Sequence, residues 1–106
     1  MKQPMEQAEK IARANIKSIR TVSEWAQWMG YENPKYFARV FKKIYSVSPK
    51  TRLVQIRIEA FHLLIKGYPD ISSYEIGQEL GLGDEHDLNK YIKRHTKSPP
   101  TKWKNG

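Results

Sequence analysis

The sequence predicts an all-α chain, two helix-turn-helix units joined by one long helix. Three observations carry this reading. Apolar residues recur at three- and four-residue steps along most of the chain. Capping residues, prolines and glycines interrupt that pattern where helices start and stop. The same punctuation occurs twice, 51 residues apart.

Taken in order, Met5, Ala8, Ala12, Ile16 and Ile19 mark one face of a helix over 5–18, with Pro4 where a helix can begin. Thr21-Val-Ser-Glu24 has the form of a capping box: Thr21 caps the amide three residues on and Glu24 reaches back. The short helix that follows turns Val22, Trp25, Ala26 and Met29 inward and ends at Gly30. Asn33-Pro34 starts the next helix, cap and first-turn proline in the favoured order. Phe37, Val40, Phe41 and Ile44 form its buried stripe, and Lys35, Ala38, Arg39 and Lys42 the opposite one.

From Pro49 to about Lys66 runs the longest helix. Val54, Ile58, Phe61 and Ile65 form one apolar row, and Leu53, Ala60 and Leu64 its neighbour. Gly67-Tyr-Pro-Asp70 stops it. Ser72-Ser-Tyr-Glu75 is a second capping box, and Ile76 and Leu80 lead to Gly81. A last helix, about 84–95, buries Leu88, Tyr91, Ile92 and His95 and turns His86, Asn89, Lys90 and Lys93 outward. Ser98-Pro-Pro100 breaks it and Trp103 closes the chain. The ends, 1–4 and 104–106, read as loose. Three segments follow: a first unit at 5–48, a linking helix at 49–67 and a second unit at 68–104.

The repeat is the strongest signal. Shifted by 51, Glu24 meets Glu75, Gln27 meets Gln78, Gly30 meets Gly81, Lys42 meets Lys93 and Pro49 meets Pro100, with no gap. Apolar and basic types coincide too: Trp25 with Ile76, Phe37 with Leu88, Phe41 with Ile92, and Arg39 with Lys90. Each unit is a short capped helix, a glycine turn and a second helix with a basic outer face, the sequence form of helix-turn-helix. That second helix suits a duplex major groove, about 12 Å wide, in which only the outward side chains reach base edges.

Composition narrows the chemistry. The chain has 106 residues and no cysteine, which excludes disulfides, thiol catalysis and cysteine-rich zinc sites. Nineteen Lys and Arg face eleven Asp and Glu, a net charge of +8, which calls for a polyanionic partner. No apolar run approaches the roughly 20 residues of a membrane span, and the start lacks the apolar stretch of a signal peptide. The expectation is a cytoplasmic chain with no membrane contact. His62, His86 and His95 stand alone, without metal-ligand spacing. Nothing pairs a nucleophile with a base and no phosphate loop is present, so neither an enzyme, a metal nor a cofactor is expected.

The stretch from Ser23 to Lys43, with the core Gly30-Tyr-x-x-Pro34-x-Tyr-Phe-x-Arg39-Val-Phe-Lys-Lys43 and then Ser48-Pro49, resembles the first helix-turn-helix of the AraC/XylS family of bacterial transcription regulators. Tyr74 to Gly81, with Ser98-Pro-Pro100 and Trp103, resembles the second motif more loosely, and Arg57 to Leu64 the linker helix. The resemblance implies about seven helices and two recognition helices in successive major-groove segments of double-stranded DNA. It selects Lys35, Ala38 and Arg39, then Glu85, His86, Asn89 and Lys90, as base contacts, nearly the set chosen by helical face alone. Arginine reads guanine through a bidentate pair, which puts Arg39 first. Tyr36, Lys42, Lys43, Lys50, Arg52, Lys93 and Lys97 are the phosphate candidates.

Two departures from the family pattern stand out. Ser46 and Lys97 hold places where the family often has glycine. The second recognition helix begins with Asp84, Glu85 and Asp87, so residues 71–106 carry a net +1 against +4 for residues 20–51. Either the second unit reads a cytosine through a carboxylate, or it docks weakly; weak docking is the expectation. The acidic run also supports an alternative: an interaction module contacting RNA polymerase or another regulator, with partial DNA contact. RNA is a lesser rival, since the stacking aromatics of single-strand readers are missing.

Overall fold

The computed structural model describes residues 2–97; the expected break at Pro100 and the closing Trp103 lie outside them. Among the described residues there are six α-helices and one 3-10 turn, where about seven helices were expected. The helices are α1 (Ala8–Ala14), α2 (Val22–Trp28), α3 (Pro34–Tyr45), α4 (Pro49–Gly67), α5 (Ser73–Glu79) and α6 (Glu85–Thr96).

The expected first helix is shorter than its apolar period. Met5–Gln7 is a 3-10 turn, and α1 stops at Ala14. Asn15 stands at its C-cap, where the side-chain amide donates to the Ile11 carbonyl at 2.9 Å beside the backbone N–H at 3.1 Å. Ile16 and Ile19 still reach the core from the turn that follows.

The helix starts follow the caps. Glu24 N–H donates to Thr21 Oγ1 at 3.1 Å, while the Glu24 carboxylate accepts from the Arg20 N–H and the Thr21 hydroxyl. The second box is complete, with Glu75 N–H on Ser72 Oγ and Ser72 N–H on Glu75 Oε1. Asn33 Oδ1 accepts from the amides of Lys35 and Tyr36.

The 51-residue repeat is written into the backbone. Met29 N–H donates to Trp25, Gly30 to Gln27 and Tyr31 to Ala26; Leu80 to Ile76, Gly81 to Gln78 and Leu82 to Gly77 match them one for one. Gly30 and Gly81 both take positive φ, 83° and 70°. Ser46 and Lys97 end α3 and α6 in the left-handed region, at 65° and 64°. Each donates its amide four residues back, to Lys42 and Lys93.

The two units have separate cores bridged by α4. In the first, Trp25 packs edge-on against Phe37 and Phe41, with ring centres 5.6 and 5.0 Å apart. The Trp25 indole donates to the Ala8 carbonyl at 3.1 Å, so its buried N–H is satisfied. Phe61, Ile76, Leu80, Leu88 and Ile92 form the second core. Each such fully buried side chain contributes about 1.5–3 kcal/mol of hydrophobic stabilisation. Because α4 passes from one core to the other, its buried face is Leu53, Ile56, Arg57 and Phe61 rather than either expected row. Val54, Ile58, Ala60, Leu64 and Ile65 are only half-buried.

Two expected core positions lie outside. Ile44 is 51% exposed, and His95, its equivalent in the repeat, is also exposed. In the first unit the core edge is sealed one residue later. Tyr45 stacks on Phe41 at 4.4 Å and its hydroxyl donates to the Met5 carbonyl at 2.7 Å. Burial, then the carboxylates of Glu9 and Glu6, pushes the Tyr45 phenol above its ordinary range.

The units meet at Arg57, which is 3% exposed. Its Nε donates to the Leu80 carbonyl at 3.1 Å, and its Nη2 donates to the carbonyls of Ile16, at 3.4 Å, and Ile19. Beside it Gly81 presses on the first unit's backbone: a Cβ there would stand 2.4 Å from the Lys17 carbonyl oxygen. The assembled chain measures 42 × 23 × 21 Å.

Two stability measurements follow. Arg57→Met strips buried carbonyls of their donors and lowers the unfolding free energy by about 3 kcal/mol in urea titrations; an unmoved midpoint would show that the junction does not depend on it. Ser46→Gly relieves a left-handed side chain and raises stability by about 1 kcal/mol. A midpoint that stays or falls would mean that the strain is absent.

Candidate nucleic-acid interface

The apolar stripes of α3 and α6 are anchored by Phe37 and Phe41, and by Leu88 and Ile92, all fully buried. That leaves the opposite faces in water. On α3, Lys35, Arg39, Lys42 and Lys43 are exposed and Ala38 is half-buried. Tyr36 is 45% exposed, its ring centre 5.9 Å from that of Tyr31. On α6, Glu85, His86, Asn89, Lys90 and Lys93 are exposed, and Lys97 lies exposed just past its end. Lys50 is exposed in the first turn of α4.

Among the described residues, none of Lys35, Arg39, Lys42, Lys90 and Lys93 is held in an ion pair. Their charges are available to a partner. Arg52 differs from the other phosphate candidates. Its Nε meets the Glu9 carboxylate at 2.6 Å and its Nη1 donates to Gln55 at 2.8 Å. That guanidinium ties α4 to α1, and an anion would have to displace Glu9 to reach it.

The acidic start of α6 has a local explanation. Asp84 is its N-cap, accepting from the Asp87 N–H at 2.9 Å. Asp87 folds over Gly83, where a Cβ would stand 2.7 Å from its Oδ2. Both carboxylates lie at the positive end of the helix dipole, which favours them there. Glu85 and Asp87 are both exposed first-turn carboxylates, and neither carboxylate takes part in the cap bond.

His95 lies 4.4 Å from the Tyr91 ring, and partial burial, then Arg94, pushes its imidazole below the usual histidine range.

One cation escaped the sequence reading, which took residues 1–4 as loose. The Gln3 N–H donates to the Met29 carbonyl at 2.8 Å and ties the arm to the end of α2. Lys2 Nζ then sits 4.8 Å from the Tyr31 ring centre and 5.2 Å from that of Tyr36. Lys2, Lys35 and Arg39 share an open groove at the start of α3, with Glu32 as its one carboxylate. No periodicity signals such a contact, because the arm and the tyrosines come from different segments; only the two tyrosines beside a basic stripe hint at it.

No family model matches the chain, and no curated protein matches it. Solved structures do. The C-terminal domain of AraT, a response regulator from Geobacillus stearothermophilus, superposes with a TM-score of 0.81 at 19% identity, over 97% of this chain and 85% of that one. The C-terminal domain of the two-component response regulator yesN from Fusobacterium nucleatum gives 0.79 at 21% identity, over 93% and 95%. A transcriptional regulator from Chromobacterium violaceum, one of the AraC-type DNA-binding domain-containing proteins, gives 0.75 at 18%, over 95% and 88%. The repeated helix-turn-helix, the bridging α4 and these superpositions together assign the chain the fold of the AraC-type DNA-binding domain.

Proposed function

We propose that this chain is an AraC-type DNA-binding domain that binds duplex DNA sequence-specifically and regulates transcription. The observation that carries the reading is the pair of hydrogen-bonded helix-turn-helix units in register, each turning an unpaired basic face to solvent. One turn of B-DNA spans about 34 Å, and two recognition helices held in one body can enter successive major-groove segments. The chain's long axis, 42 Å, is of the order of one such turn.

Base contacts are assigned to Lys35, Ala38 and Arg39 in the first unit and to Glu85, His86, Asn89 and Lys90 in the second. Lys2, Tyr36, Lys42, Lys43, Lys50, Lys93 and Lys97 are assigned to phosphates, which supply most of the affinity and none of the sequence choice. Arg52 is left out, since Glu9 and Gln55 occupy it. The second unit is the weaker reader, because it carries less positive charge and one of its entering carboxylates, Asp84, caps the helix rather than meeting a base.

Selection of tight binders from a randomised duplex pool tests the whole reading. Two enriched boxes about one helical turn apart are expected, with Arg39→Ala costing about 1–3 kcal/mol and relaxing the first box. Lys90→Ala has the smaller effect; equal large losses would overturn the ranking of the units. Salt-sensitive binding with no enriched site and no effect of Arg39→Ala would leave a non-specific basic domain.

Lys2→Ala is expected to weaken binding evenly across sequences and to reduce the salt slope by about one. An unchanged slope would remove Lys2 from the interface.

A further inference from the structure

The second half carries a surface that DNA binding does not use. Where α4 gives way to α5 the chain forms an open groove of about 750 Å³, and no residue of α3 or α6 lines it. Leu64 and Ile71 are half-buried in it, while Tyr68 is 65% and Tyr74 56% exposed. Apolar residues scattered singly over a surface need no explanation, but aromatic rings gathered on one concave surface mark a contact site.

The groove's charge says what would cover it. Its ionisable side chains are acidic or phenolic: Asp70, Glu75 and Glu79 with the two tyrosines, and no Lys or Arg lines it, in a chain of net charge +8. Glu75 is partly spent on the cap of α5, accepting from the Ser72 N–H at 3.3 Å. Asp70 and Glu79 are exposed, and among the described residues neither joins an ion pair. A phosphate backbone is repelled by these carboxylates. An arginine is matched twice, because its planar guanidinium pairs with carboxylates and lies flat on tyrosine rings.

We propose that this groove docks an arginine-bearing segment of a partner protein, the guanidinium against Asp70 and Glu79 and a neighbouring apolar side chain against Tyr74. Because the groove shares no residue with the basic faces of α3 and α6, the chain holds such a partner and DNA at the same time. The docking does not depend on the DNA reading.

The test titrates isotope-labelled protein with a blocked hexapeptide of alternating arginine and leucine and follows its amide signals. The expected result is shifts confined to residues 64–79. The Asp70→Asn, Glu79→Gln double variant should bind at least tenfold more weakly, and Tyr74→Ala several-fold more weakly. All three residues are exposed, so the melting temperatures stay unchanged. A glutamate–leucine peptide should cause no shift. Three outcomes overturn the proposal: shifts centred on Asp84–Asp87 or spread over the surface, equal peptide binding by the double variant, or self-association of the free chain that the double variant abolishes, which would make a second copy the occupant. Loss of DNA affinity in the double variant would also overturn it, by placing the groove within the DNA contact.

Discussion

The arrangement of the two units rests on one buried charge. Withdrawing a guanidinium from water costs several kcal/mol even after relaxation, so Arg57 is tolerated only because carbonyls from both units replace its hydration. Leu80 supplies one as the C-cap of α5, where a helix leaves its last carbonyls unpaired. Ile16 and Ile19 supply the others from the turn that follows α1. The Tyr91 ring of α6, with its centre 5.8 Å from the guanidinium carbon, closes the environment. A hydrophobic residue at 57 would fill space without joining these carbonyls. Directional bonds to both sides fix an orientation that apolar packing alone leaves adjustable.

Gly81 makes the same point from the backbone. It is the turn glycine of the second unit and the counterpart of Gly30, so the repeat accounts for its positive φ. The repeat does not account for its approach to Lys17, which leaves no space for a Cβ. One residue therefore serves the turn within its unit and the seam between units. The two units share a hydrogen-bond pattern but not a sequence, because each adapts the same scaffold to different neighbours.

Much of this was legible in the sequence, and the failures have a common cause. Caps, glycine turns and helix starts are local, and Thr21, Asn33, Ser72 and Gly81 announced them correctly. The buried stripes of α3 and α6 held at Phe37, Phe41, Leu88 and Ile92, where a helix lies flat on its core. They failed at Ile44 and His95, where the helix runs past the core edge and periodicity continues after burial has stopped. Arg57 was invisible as a structural residue because a charge on an apolar helix face reads as an interruption; its partners lie 23, 38 and 41 residues away. Lys2 was missed for the same reason. For the candidate interface, the sequence supplied the basic positions, while the structure distinguished Arg52, held by Glu9, from side chains left free.

The rigid seam bears on how an uneven pair of readers can work. When two binding elements are joined, the second engages at an effective concentration set by the connection. A flexible linker dilutes that advantage, and each engagement then bears its own ordering cost. Here the relative placement of α3 and α6 is settled on folding, through Arg57 and Gly81, before any DNA is met. The orientational entropy of the second unit is already spent. On the proposed reading, a unit with a net charge of only +1 across residues 71–106 would bind DNA poorly alone, yet would add its contacts at little further entropic cost once α3 was seated. The same rigidity makes the spacing between boxes a source of specificity, because a duplex with the second box displaced cannot be met by adjusting the protein. On the proposed reading the asymmetry in charge is no defect. The first unit supplies affinity, the second checks the distance, and the buried arginine between them sets what distance is checked.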